Sequence, residues 1–203
     1  MKKGIVFLII IGVLGFFWFF FSSPSEVILD SFEGQINEKT VDFGSSDNSN
    51  LKVVGDRTLK VCGEQSLKLD YNLAPSGYMW IARGYGLDVT GAAKWEIEPS
   101  QVKWRSYNAF SLQMYGNNSG AVIAFDIKDN GGELWRYFLD DDFSGWKEII
   151  CPIKNFFPRS DWQPEAAQKN EILDYPIKSF QFEPRLPGIR THNFDCIKVI
   201  KSK

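Results

Sequence analysis

Histidine is the scarcest resource in this chain: 203 residues hold one, His192. A zinc site built on imidazoles, or a nucleophile–His–acid triad, would have to use that single side chain, so most metalloenzyme and triad chemistry fits poorly. Excess positive charge is missing as well, since 23 Lys+Arg stand against 25 Asp+Glu for a formal net charge of -2. Such a chain has no surplus to neutralise a phosphate backbone, and nucleic acid is excluded as a partner. Beyond the N-terminus there is no long run of apolar residues at helical spacing, no internal repeat and no low-complexity tract. Cysteine is sparse and odd in number, at positions 62, 151 and 196, so at least one thiol is unpaired within a monomer. Cys151 lies in an alternating run on the parity of Ile149, where cysteine behaves as a small buried hydrophobe, and it is the expected free thiol. A bridge between Cys62 and Cys196 stays open.

Aromatic and aliphatic residues are plentiful, 44% hydrophobic with 15% aromatic, which suffices for one core of ordinary size. The hydrophobicity is uneven. Residues Ile5 to Phe21 contain no polar side chain and follow Lys2 and Lys3. As a helix that run reaches roughly 25 Å at about 1.5 Å per residue, the lower end of what crosses a bilayer core. It exceeds the usual apolar stretch of a signal peptide and ends in bulky rings including Trp18, which favours an uncleaved hydrophobic helix. Ser23 and Ser25 leave cleavage before Glu26, and a secreted or periplasmic product, as the alternative. The lysines ahead of the span keep the N-terminus in the cytoplasm and place the rest outside. The expected organisation is therefore residues 1–25 as anchor or signal and 26–203 as one exported domain, in which 21 Lys+Arg, leaving out Lys2 and Lys3, face 25 acids.

From Val27 onward, short alternating runs are separated by Gly, Asn, Asp, Ser and Pro, the pattern of a mostly β domain. Strands are expected at Val27–Leu29, Leu51–Val54, Ser66–Tyr71, Met79–Tyr85, Ala93–Glu98, Ala109–Tyr115, Val122–Lys128, Leu134–Leu139, Lys147–Cys151, Ser179–Pro184 and Phe194–Ile200. Asp129-Asn130-Gly131-Gly132 between two of them reads as a hairpin turn, because Asn and Gly tolerate positive φ. Pro158 to Asp174 reads as a surface loop with a short helix-like piece from Glu165 to Lys169.

Four stretches, taken in order, carry a resemblance. The domain opens on Asp30-Ser31-Phe32-Glu33-Gly34, followed by Gly63-Glu64-Gln65-Ser66-Leu67-Lys68. Its centre runs through Trp135-Arg136-Tyr137-Phe138-Leu139 and Phe143-Ser144-Gly145-Trp146-Lys147 to Pro152, and it closes on Phe194-Asp195-Cys196-Ile197-Lys198-Val199. Over roughly Ile28 to Ile200 the chain resembles the galactose-binding-like jelly-roll β-sandwich, specifically family eleven carbohydrate-binding modules and the related complex-I-intermediate-associated family. The resemblance implies an all-β sandwich and a non-catalytic domain that binds a polysaccharide, glucan-like or an envelope glycan. A protein partner, as in the second family, is the alternative.

It also implies a structural calcium where the first and last strands meet, with Asp30, Glu33 and Asp195 at the matching acidic positions and Glu64 nearby. A sugar groove needs rings that stack on pyranose faces and planar polar groups that read hydroxyls. Trp80, Arg83 and Tyr85 in one strand, Gln113 and Tyr115 in another, and Gln181 and Glu183 in a third supply them, each set expected on one face of its strand. Arg83, Gln113 and Glu183 are expected at the surface or in the groove because burying them in a sandwich core is costly. Trp135 and Tyr137 are expected in the core. Asp140-Asp141-Asp142 reads as a solvated turn and His192 as a loop residue without a partner, while Asn117-Asn118-Ser119 is a formal glycosylation sequon. A hydrolase using Asp126 or Glu183 across the groove is the least favoured reading.

Overall fold

A computed structural model describes residues 24–203. The expected anchor at 5–21 lies outside the described residues, among which no helix is long and apolar enough to cross a membrane. Twelve strands form the domain: β1 (Glu26–Asp30), β2 (Asp42–Ser45), β3 (Asn50–Asp56), β4 (Ser66–Leu73), β5 (Met79–Gly84), β6 (Ala109–Asn117), β7 (Val122–Lys128), β8 (Leu134–Asp140), β9 (Ser144–Pro152), β10 (Phe157–Pro158), β11 (Ser179–Pro184) and β12 (Gly188–Ile200). Two antiparallel sheets result. One has the order β3-β4-β12-β6-β9, with β1 also paired to β12; the other runs β10-β8-β7-β11-β5-β2.

Alternation decides what each strand gives to the space between the sheets. In β7, Ile123, Phe125 and Ile127 point inward and are wholly buried, and Phe110, Leu112 and Met114 do the same from β6. Phe182 of β11 stacks on Phe194 of β12 with ring centroids 3.9 Å apart, joining the sheets at the centre of the core. Each such phenyl ring contributes about 1.5–3 kcal/mol by leaving water. Trp135 is 8% exposed and Tyr137 packs against the same cluster, as expected of both. The Asp129 turn closes as a hairpin through Asp129 N–H to the Glu133 carbonyl at 3.0 Å.

Three expectations are corrected. Residues 93–98 are not a strand: Trp95 is buried and stacks on Phe180 at 6.0 Å, so their alternation reflects one side packing on the core, and Glu96 N–H meets the Leu29 carbonyl at 2.7 Å without a ladder forming. The piece from Glu165 to Lys169 forms turns, with Ala167 N–H bonded to the Pro164 carbonyl. The last strand begins at Gly188 rather than Phe194, which puts His192 inside β12 and not in a loop. Fully buried, its ring nitrogens meet the Tyr71 hydroxyl at 3.2 Å and Asp141 at 3.1 Å.

Asp141 itself is 1% exposed rather than solvated. It accepts the N–H groups of Asn117, Asn118 and Ser119 and the Ser119 hydroxyl, capping the connection between β6 and β7. Burial works to raise its pKa, but those donors and His192 hold it below the ordinary aspartate value. For His192, burial outweighs the nearby carboxylate and lowers the pKa. The neutral ring, protonated on Nε2, satisfies both partners.

Candidate functional site

The outward face of the β10-to-β2 sheet carries a cleft of about 1000 Å³. Strand register builds its floor: Asp42, Ala82, Gln181, Asp126, Arg136 and Phe157 stand opposite one another in a single row across six strands. Small residues on the same face, Ala82, Ala124 and Ser179, give the trough its depth. Trp80 lies over Gly44 of the neighbouring strand, where any side chain would collide with the indole, so close approach requires glycine there. Tyr78, more than half exposed, stacks on Trp80 at 6.1 Å. Trp162, equally exposed and also lining the cleft, covers the Arg159 guanidinium at 5.4 Å.

Between these rings sits a network of three arginines and three carboxylates. Arg136 donates to both Asp126 oxygens at 2.8 and 2.9 Å, to Glu183 at 2.9 Å and to Asp161 at 3.2 Å. Arg159 reaches Glu183 at 2.9 Å, Asp161 at 2.7 Å and Asp126 at 3.3 Å, and Arg185 joins Asp161 at 3.1 Å and Glu183. Asp126, Arg136 and Glu183 are buried beneath, while Asp161 and Arg185 form the exposed rim. Burial alone would raise the Asp161 pKa, yet the Arg159 hydrogen bond and the charges of all three arginines hold it down to about 2. Arg136 is kept charged against burial by Asp126, Glu183 and Asp161. Within this network three positive side chains face three negative ones. At the other end of the row, burial raises the Asp42 pKa against a hydrogen bond from Trp80, and burial lowers that of Lys128.

Of the residues expected to bind sugar, Trp80, Gln181 and Glu183 line this cleft. Arg83 does not. Three positions from Trp80, it points to the opposite face of β5, wholly buried, and grips Asp30 through Nε and Nη2 at 2.7 and 2.8 Å. Tyr85 shares that parity and packs edge-on against Trp95 at 6.2 Å. Gln113 and Tyr115 belong to β6 and face outward from the other sheet, with Tyr115 against Trp146 at 5.5 Å. Sequence reasoning missed Arg136, Arg159, Asp161, Arg185, Tyr78 and Trp162. Arg136 was legible, because its neighbours Trp135 and Tyr137 point inward and leave it the open face; the loop residues 159–162 gave no periodic signal.

The residues expected to hold calcium are each engaged within the protein. Asp30 is engaged by Arg83 and by the Phe32 N–H, while Glu33 accepts the N–H groups of Glu64 and Gln65. Asp195 accepts those of Val61, Cys62 and Cys196. Among the described residues the one convergent set is Cys62, Asp195 and Cys196, and both cysteines are joined in a disulfide, so this donor set does not suit a hard cation. Cys151 is the buried free thiol. The hydrolase reading also loses its geometry: Asp126 and Glu183 both bond to Nη2 of Arg136, side by side on one sheet face and neutralised, rather than astride a scissile bond.

Comparison with known proteins bears on the fold. A family 11 carbohydrate-binding module from Clostridium thermocellum, solved in complex with a β-1,3-1,4-mixed-linked tetrasaccharide, superposes with a TM-score of 0.68 at 23% identity, covering 89% of this chain and 98% of that one. A family 11 module of a cellulosomal cellulase from the same organism gives 0.66 at 21% identity over 89% and 97% of the two chains. A mannan endo-1,4-β-mannosidase of Bifidobacterium adolescentis is 20% identical over 154 residues, 75% of this chain but only 14% of that enzyme. Both of these solved structures are of carbohydrate-binding modules. Residues 22–202 match the carbohydrate binding domain of family 11, and the chain belongs to that family.

Proposed function

We propose that the cleft binds a neutral glucan chain without altering it, and that residues 5–21 hold the domain on the outer side of a membrane. The observation that carries the first part is the charge-balanced floor set between exposed rings. Trp80, Tyr78 and Trp162 offer faces for the C–H surface of pyranose rings, and the guanidinium and carboxylate groups offer fixed hydrogen-bond partners to hydroxyls. Eight ion-pair contacts already hold these groups in place, so little side-chain ordering is left for the ligand to supply. The network's three positive and three negative side chains, with Lys128 against Asp42 and Asp88 beyond them, leave the cleft without the basic excess that a uronate chain needs. The mixed-linked glucan bound by the solved relative is the ligand to try first.

Titration calorimetry of the protein with mixed-linked β-glucan oligosaccharides and with polygalacturonate tests this directly. Binding of the neutral ligand alone supports the reading. Preference for the charged polymer, or no binding of any neutral glycan by folded protein, contradicts it.

A further inference from the structure

The chain leaves its apolar N-terminal run at Phe21 and is in the sandwich by Ser25, whose carbonyl accepts the N–H of Lys201. Four residues reach at most about 14 Å. If the run is an anchor, this end of the sandwich stays close to the lipid headgroups. Several segments meet here. Asn108 accepts from Ser202 and donates back to it, bonds to the Ile200 carbonyl, and receives the Ile153 N–H. Each segment brings exposed cations: Lys103 and Arg105 just ahead of Asn108, Lys154 beside Ile153, and Lys201 and Lys203 after β12. Glu26, at the same end, is paired with Lys198 at 3.4 Å. The domain as a whole has more acids than bases; although exposed Glu96 and Glu98 precede Lys103 on its segment, the five cations outnumber them, so this local excess runs against its composition.

We propose that this basic end is a docking surface for the anionic headgroups of the membrane that carries the chain. The inference rests on the anchor reading above and adds an orientation to it. Surface potential acts within about 8–10 Å at physiological salt, a range comparable with the tether. Since the cleft occupies a sheet face rather than a strand end, docking of this end aims it along the membrane.

Full-length protein labelled with a fluorophore through Asn155→Cys, an exposed position beside Lys154, is reconstituted into vesicles carrying a headgroup acceptor dye. The vesicles are phosphatidylcholine alone or phosphatidylcholine with phosphatidylglycerol. Energy transfer is expected to be higher on the anionic vesicles and to fall to the neutral level in about 1 M salt, where screening shortens to about 3 Å. Replacing Lys103, Arg105 and Lys154 together by Gln should cut the docked-to-undocked ratio roughly a hundredfold, at about fivefold per cation. A second variant, Lys201→Gln with Lys203→Gln, probes the same surface from another segment, and an unchanged melting midpoint shows that both fold. Equal transfer on the two membranes, or variants that transfer like the wild type on anionic vesicles, overturns the proposal. An alkaline wash separates the two readings: protein that leaves neutral vesicles sinks the anchor and the docking surface with it, whereas protein that stays but ignores lipid charge sinks the docking surface alone.

Discussion

Arg83 shows what a single residue can hide. The cost of burying an arginine pointed it outward, and that cost is real for an unpaired guanidinium. Its partner Asp30 lies 53 positions earlier, beyond the reach of any local pattern, and bidentate pairing makes the buried site tolerable. Asp30→Ala leaves the cation without its counterion and should cost about 3–5 kcal/mol in denaturant unfolding, while the double change Asp30→Leu with Arg83→Met should recover most of that loss. His192 yields a pH prediction. Its folded pKa lies below the ordinary value of 6.5, so the unfolded chain takes up this proton first as pH falls. Stability from the neutral ring is complete above that value and is lost as pH drops through it toward the lower folded pKa. Melting midpoints recorded between about pH 8 and pH 5, roughly 1.5 units either side of the ordinary histidine value, should decline on the acid side in the wild type and much less in His192→Phe. An identical decline in both proteins would assign the acid sensitivity elsewhere.

Among the elements, the central strands were legible to within a few residues. β7 was expected at the bounds it has, because Phe125 and Ile127 alternate with Asp126 and Lys128 over a full strand length. β2 and β10 were not, since four and two residues hold too little alternation to register. The segment before β4 depends on ties that sequence could only leave open. Cys62 and Cys196 bridge across 134 positions with Cα atoms 5.8 Å apart, while Asp195 and Glu33 bind the backbone N–H groups beside them. Breaking the bridge with Cys62→Ala and Cys196→Ala should lower stability by about 2–5 kcal/mol in chemical denaturation. Glucan affinity should persist in conditions where that variant is folded, because the tie involves the opposite sheet.

For the molecule as a whole, the sandwich could be inferred from strand spacing and motif order, but not the cleft. Alternation assigns a residue to one of two faces; only sheet membership says which face is inside, and that is why Gln113 and Tyr115 were grouped with Trp80 although they occupy the other sheet. The loop bearing Arg159, Asp161 and Trp162 completes the site by folding back over β7 and β11, a contact with no local signature. Because the charged floor is balanced and partly buried, glucan affinity should change little with ionic strength. Calorimetry at low and high salt checks this; a steep salt dependence for this neutral ligand would show that the ion pairs of the floor break or rearrange on binding.

Affinity electrophoresis against mixed-linked β-glucan, comparing wild type, Trp80→Ala and Tyr115→Ala, tests the location of binding most directly. The polysaccharide should retard the wild type and Tyr115→Ala alike, and Trp80→Ala should lose at least about 2 kcal/mol of binding, roughly thirtyfold. Retardation that survives Trp80→Ala but vanishes with Tyr115→Ala would move the site to the other sheet and rule out the cleft.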